Sequence, residues 1–167
     1  YELGLGIPAE PLFRSMMVKV GPGLTYAARE GIFALCMIEE ELAQVYGFET
    51  SHFREELDKA MLANPGKWAP YYHGTENEIA FKRKYSFSDR CRYYLPQENV
   101  KNALAKLLAN LKEHPVPLPL LSQYMPFQYT LVREGKLNNT PEDLIKARVM
   151  YTIEEYTYAS HQEELVR

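Results

Sequence analysis

The sequence predicts the last part of an α/β protein, mostly α-helical with one clear strand. Three observations lead there. Met16-Met17-Val18-Lys19-Val20 has strand length and β-type content, and runs through Gly21-Pro22-Gly23 into Leu24-Thr25 and a helical pattern. A buried parallel-type strand needs neighbours on both edges and apolar layers on both faces, yet everything after Thr25 reads as helix. The chain also begins at Tyr1 without an initiator methionine, and Glu2 to Pro8 resemble a loop entered midway, with room for a second short strand. The sheet is therefore expected upstream. On this reading residues 1–48 hold the last strand, its following helix and a preceding loop, and residues 49–167 form a helical extension.

The elements follow in order. A helix is expected from about Leu24 to Tyr46, apolar on most sides (Ala27, Ala28, Ile32, Phe33, Leu35, Cys36) and ended by Gly47. Ser51 can cap a second helix through Phe53, Leu57, Met61 and Leu62, which Asn64-Pro65-Gly66 stops. After a loop over Lys67 to Gly74, Thr75 with Glu78 has capping-box spacing, and Ser86 with Asp89 repeats it ahead of a further helix. Val100, Ala103, Leu104, Leu107, Leu108 and Leu111 then recur at helical spacing up to His114-Pro115. Pro115, Pro117 and Pro119 predict an extended connector that cannot be helical. Pro126 opens a helix closed by Gly135, and Thr140-Pro141-Glu142-Asp143 starts the last one, which carries Leu144, Ile145, Val149, Ile153 and Tyr156.

Composition narrows the function. Among 167 residues, 46% are hydrophobic, which suits a packed core, and 19 basic against 22 acidic residues leave no broad basic field for nucleic acid. Lys82-Arg83-Lys84 sits beside Glu76 and Glu78 and reads as a solvated helix face. No apolar run approaches the roughly 20 residues of a membrane span. Cys36 and Cys91 lie in apolar helical contexts without C-x-x-C spacing, so each reads as a buried reduced thiol, which favours the cytoplasm. The four histidines are far apart, and no metal site can be assigned within the chain.

Two stretches set polar groups among aromatics. At the strand end, Lys19 and the flanking Gly21 and Gly23 could free backbone N–H groups beside a helix N-terminus, an arrangement suited to a sugar phosphate; an ordinary tight turn is the alternative. In Tyr85-Ser86-Phe87-Ser88-Asp89-Arg90-Cys91-Arg92-Tyr93-Tyr94, Asp89 and Arg92 would share a helix face, leaving Arg90 to meet a phosphate or carboxylate; a structural ion pair is the alternative. His73, between Tyr71-Tyr72 and Gly74, is a candidate base or donor or else a surface histidine. Gln123 and Tyr124 could project into a cleft or cap the helix of Pro126. Neither the Walker A nor the G-x-G-x-x-G pattern is present.

Taken in order, Val18-Lys19-Val20-Gly21-Pro22, Leu24-Thr25, Arg29-Glu30, Tyr72-His73-Gly74, the Tyr85 to Tyr94 stretch, Pro117-Leu118-Pro119-Leu120-x-Ser122-Gln123-Tyr124-x-Pro126-x-Gln128-Tyr129 and Pro141-x-x-Leu144-Ile145 resemble the C-terminal portion of the non-catalytic (Z-type) subunit of class II D-tagatose-1,6-bisphosphate aldolase. That family was formerly described as tagatose-6-phosphate kinases. The resemblance spans about Met16 to Tyr158. It implies a (β/α)8 TIM-type barrel of which this chain supplies roughly the last strand, with Gly21 and Gly23 at the phosphate end. One departure is that Glu2 to Ser15 does not read as the helix expected before a last strand.

The resemblance implies an accessory subunit that stabilises a catalytic aldolase partner in galactitol or amino-sugar-derived ketose catabolism, in a homo- or hetero-oligomer. The alternative is a metal-dependent 4-epimerase of tagatose, fructose or their phosphates, with the divalent metal's ligands outside this chain. A kinase is disfavoured, since no phosphoryl-transfer motif is present. The chain alone is expected to be inactive, because one strand cannot assemble metal, base and phosphate clamp.

Overall fold

A computed structural model describes residues 2–3, 7–8 and 21–159. Glu2–Leu3 (β1) and Ile7–Pro8 (β2) pair antiparallel over two residues each. From Gly21 onward every regular element is a helix: α1 (Gly21–Tyr46), α2 (Phe53–Ala63), a 3-10 turn (Pro65–Lys67), α3 (Glu76–Tyr85), a 3-10 turn (Cys91–Tyr93), α4 (Glu98–Glu113), α5 (Leu118–Tyr124), α6 (Pro126–Arg133) and α7 (Pro141–Ala159).

This corrects the expected fold class. The structure is 74% helical, and neither a clear strand nor a barrel portion is present among the described residues. The strand expected at Met16 to Val20, Lys19 included, lies outside them. Gly21-Pro22-Gly23 is not a free turn but the opening turn of α1. Proline is tolerated there because the first N–H groups of a helix have no internal partner and its φ is already helical. The same physics shortens the extended connector: residues 115–117 are non-helical, with Pro117 extended at φ −70° and ψ 143°, but α5 begins at Leu118 and takes Pro119 into its first turn.

The core is organised around α1, which buries Ala27, Ile32, Phe33, Leu35, Cys36, Ile38 and Leu42 on nearly all sides. Its most extensive partner is α7, with α5 and α4 next, while α2 packs mainly on α4. The approach to α7 is close at Gly31, where a Cβ would lie 3.5 Å from both Ile145 and Arg148. From α4 the residues Val100, Ala103, Leu107 and Leu111 complete the core, each large aliphatic chain contributing roughly 1.5–3 kcal/mol gross by burial. Gly47 and Gly135 follow α1 and α6 with φ of 74° and 68°, the left-handed geometry that ends helices.

Local signals succeed where no distant group competes. Thr75 and Glu78 form the full capping box at the start of α3, and Thr140 Oγ1 accepts the Asp143 N–H at the start of α7. At α2 the expected Ser51 cap is replaced by His52, which takes the N-cap position with φ of 53° and no side-chain cap. Ser51, one residue earlier, still accepts the Phe53 N–H on its Oγ at 3.4 Å while its own donors turn elsewhere. Its N–H and hydroxyl donate to Glu39, at 2.9 and 2.6 Å, and Asn110 Nδ2 donates to the same carboxylate at 2.6 Å. This knot ties α1 to the 47–52 loop and to α4, with Glu39 only 1% exposed.

Candidate functional site

The first half of α1 carries Tyr26, Arg29 and Phe33 along one face, at helical spacing three and four apart. An arginine in such a stripe must find a partner, since burying an unpaired charge is costly. Arg29 is 3% exposed. Its Nε donates to Asp89 Oδ2 at 2.7 Å, and its guanidinium lies 4.6 Å from the Tyr26 ring centre and 5.3 Å from that of Phe33. Tyr26 in turn stacks on Phe87.

Asp89 is spoken for on both oxygens, because Oδ1 accepts the Cys91 N–H at 2.8 Å. The expected pairing with Arg92 is absent, and so is the expected second capping box: only a 3-10 turn follows Asp89, and Arg92 donates to the Tyr93 hydroxyl. That contact lowers the Tyr93 pKa. Arg90 lies with its guanidinium carbon 3.5 Å from the Tyr71 ring centre. The Tyr72 hydroxyl donates to the Ser88 carbonyl at 2.8 Å, fixing the segment from behind. Burial, then the charge of Asp89, raises the Tyr72 pKa.

Two donors in this cluster are left over. Arg29 Nη2 and Arg90 Nε are both buried without a hydrogen-bond partner among the described residues. Arg29 is paired with Asp89, whereas Arg90 has no ion pair among the described residues, so the cluster holds an unpaired cation as well as unmet N–H groups. An unsatisfied buried donor costs about 1–3 kcal/mol. An oxyanion is the complement that such planar donors match best. Cys91 adds no nucleophile: burial, reinforced by Asp89, pushes its thiol well up, and burial does the same for Cys36.

The other sequence-predicted residues are scattered. Gly21 is exposed at the start of α1 with nothing near its missing Cβ, whereas a Cβ on Gly23 would lie 2.9 Å from the Tyr156 hydroxyl of α7. His73 is exposed, and its carbonyl accepts from Lys82 Nζ. Ser88 and Arg90 flank Asp89, but Gln123 and Tyr124 lie at the end of α5, where the Tyr124 hydroxyl donates to Glu41 at 3.3 Å. The residue that sequence reading of chemistry passed over is Arg29. Its signal was a cation inside an aromatic stripe. Among the described residues no helix is long and apolar enough to cross a membrane, and no cluster of three metal-ligating side chains occurs.

Comparison with known proteins adds two findings. The model of the family described as D-tagatose-1,6-bisphosphate aldolase subunit GatZ/KbaZ-like matches residues 14–161. Among solved structures, the crystal structure of a probable tagatose 6 phosphate kinase from Sinorhizobium meliloti 1021 is similar, with 32% sequence identity and a TM-score of 0.75, over 83% of this chain. The chain spans 35% of that protein.

Proposed function

Because this chain belongs to the D-tagatose-1,6-bisphosphate aldolase subunit GatZ/KbaZ-like family, we propose that the protein carrying it is an accessory subunit of a class II D-tagatose-1,6-bisphosphate aldolase, stabilising and supporting a catalytic partner in ketose catabolism. One observation carries this reading: the family match over residues 14–161 takes in every described helix. The family description is of a subunit, so assembly with another chain is part of the reading, and it lends nothing to the 4-epimerase alternative. A cytoplasmic setting accords with two cysteines that are free and buried.

Within that reading, the phosphate of a sugar phosphate is assigned to Arg29, paired with Asp89, and to Arg90, with Ser88 and His73 as further contacts. The unmet guanidinium N–H groups support this assignment. Gly21 and Gly23 belong to the same proposal as a second contact at the α1 N-terminus, and Lys19, outside the described residues, as its cation.

The test is to produce the intact protein with and without a catalytic class II aldolase subunit. Co-purification and a several-fold longer half-life of aldolase activity on warming are expected. Failure to associate, together with metal-stimulated interconversion of tagatose and fructose by this protein alone, would overturn the reading. For the phosphate assignment, Arg90→Gln should weaken sugar-phosphate binding about tenfold or more, the loss expected for a charge-assisted hydrogen bond. Unchanged affinity in a folded variant would remove Arg90 from the site.

A further inference from the structure

Outside the arginine cluster, three further buried polar atoms lack a partner among the described residues, Arg54 Nε, Gln128 Nε2 and Asn139 Oδ1, and of these Gln128 lines a cleft. Gln128, on α6, is 3% exposed, and its Nε2 finds no acceptor among the described residues. It lines a cleft of about 330 Å³ between α1, α6 and α7, together with Ala34, Tyr124, Phe127, Arg148 and Tyr151. That volume lies at the lower end of the range for small-molecule sites, and the walls are of the usual kind, mostly apolar and aromatic with few polar groups. Phe127 and Tyr151 meet edge to face at 4.8 Å and present aromatic surface.

Charge selects among ligands. Arg148 is the one charged group among the described residues of the lining, and it is already neutralised: Nη2 donates to Glu30 and Nη1 to Thr152 Oγ1. The Tyr124 hydroxyl is engaged by Glu41. The cleft thus offers no surplus positive charge for a carboxylate or phosphate, and too few free donors and acceptors for a polyhydroxylated ring. What remains unmet among the buried groups of the lining is the Gln128 Nε2 amino group, with two N–H donors, at an apolar wall.

We propose that this cleft is a binding site for a small uncharged molecule with an apolar, preferably aromatic, body and one carbonyl oxygen that accepts from Gln128 Nε2. The site is separate from the phosphate assignment and does not depend on the accessory-subunit reading. Benzamide is the probe, with toluene as the control lacking the carbonyl and benzoate as the charged control.

In ligand-observed NMR titrations of the intact protein, benzamide should bind about tenfold or more tightly than either control, the discrimination one hydrogen bond supplies. Gln128→Leu should erase that preference. This variant is expected to fold, because replacing an unsatisfied buried amide by an apolar group of similar size is neutral or stabilising; its urea midpoint provides the check. Equal binding of benzamide and toluene, a preference for benzoate or for D-fructose, or a preference that survives Gln128→Leu would overturn the proposal. So would loss of benzamide binding on addition of the catalytic aldolase subunit, which would make a partner segment the occupant.

Discussion

Two charged side chains lie buried on α1, Glu39 and Arg29, and they have been treated differently by the fold. Glu39 receives three hydrogen bonds from Ser51 and Asn110. Arg29 has one carboxylate contact and an idle Nη2. Both groups had to overcome the loss of water, which favours complete satisfaction. A completed network reads as a device that holds the loop after α1 against α4. An incomplete one is an energetic deficit that stability alone does not explain, and it is the reason the arginine cluster, rather than the carboxylate knot, is taken as the site.

The sharpest way to break this comparison is to remove each centre in turn. Glu39→Leu strands the two Ser51 donors at about 1–3 kcal/mol each, while Asn110 keeps the Glu49 carbonyl, so a loss of up to about 6 kcal/mol is expected, read as a lower urea midpoint with little change in slope. Arg29→Met comes next, at about 3–5 kcal/mol, because it leaves the buried Asp89 charge without its cation. The double variant Arg29→Met, Asp89→Asn should recover most of that loss, since no uncompensated charge remains and the Asn oxygen can still accept the Cys91 N–H. It should nevertheless fail to bind sugar phosphates. No such apolar rescue is expected at Glu39, whose donors include a backbone N–H. A double variant as unstable as Arg29→Met would make the arginine cluster structural after all.

The smallest effect concerns the exposed cap of α3. The Glu78 carboxyl is held below its ordinary value of 4.5, first by the Thr75 backbone N–H and then by the Thr75 hydroxyl. A depressed folded pKa gives stability that is present above the unfolded value and lost as pH falls through the folded one. The urea midpoint should therefore decline slightly on acidification below about pH 4.5, and Glu78→Gln should remove its share of that decline. An unaltered pH profile in Glu78→Gln would take the cap out of the account.

How much was legible in the sequence follows the range of the deciding interaction. Thr75–Glu78, Thr140 and the stripe from Val100 to Leu111 are local patterns, and each forms as read. Ser86–Asp89 has the same spacing as Thr75–Glu78 but fails, because Asp89 is claimed by Arg29 across 60 residues. Ser51 is displaced from the N-cap position by one residue, its hydroxyl donating to Glu39 while its oxygen accepts the Phe53 N–H. The prolines were misread twice, at Pro22 and Pro119, where a residue that breaks a helix interior serves in its first turn. At the site, Asp89 and Arg90 were found by residue type. Arg29 and Gln128 needed burial to be known, since what marks them is a missing partner in a dry place.

The pairing of α1 with α7 bears on how the polypeptide emerges from the ribosome. Glu30 and Arg148 meet across 118 residues, and at translation rates of about 5–20 residues per second α7 appears on the order of ten seconds after α1. Through that interval the apolar faces of α1, from Ala27 to Leu42, lack their principal cover. Slower synthesis would lengthen that exposure.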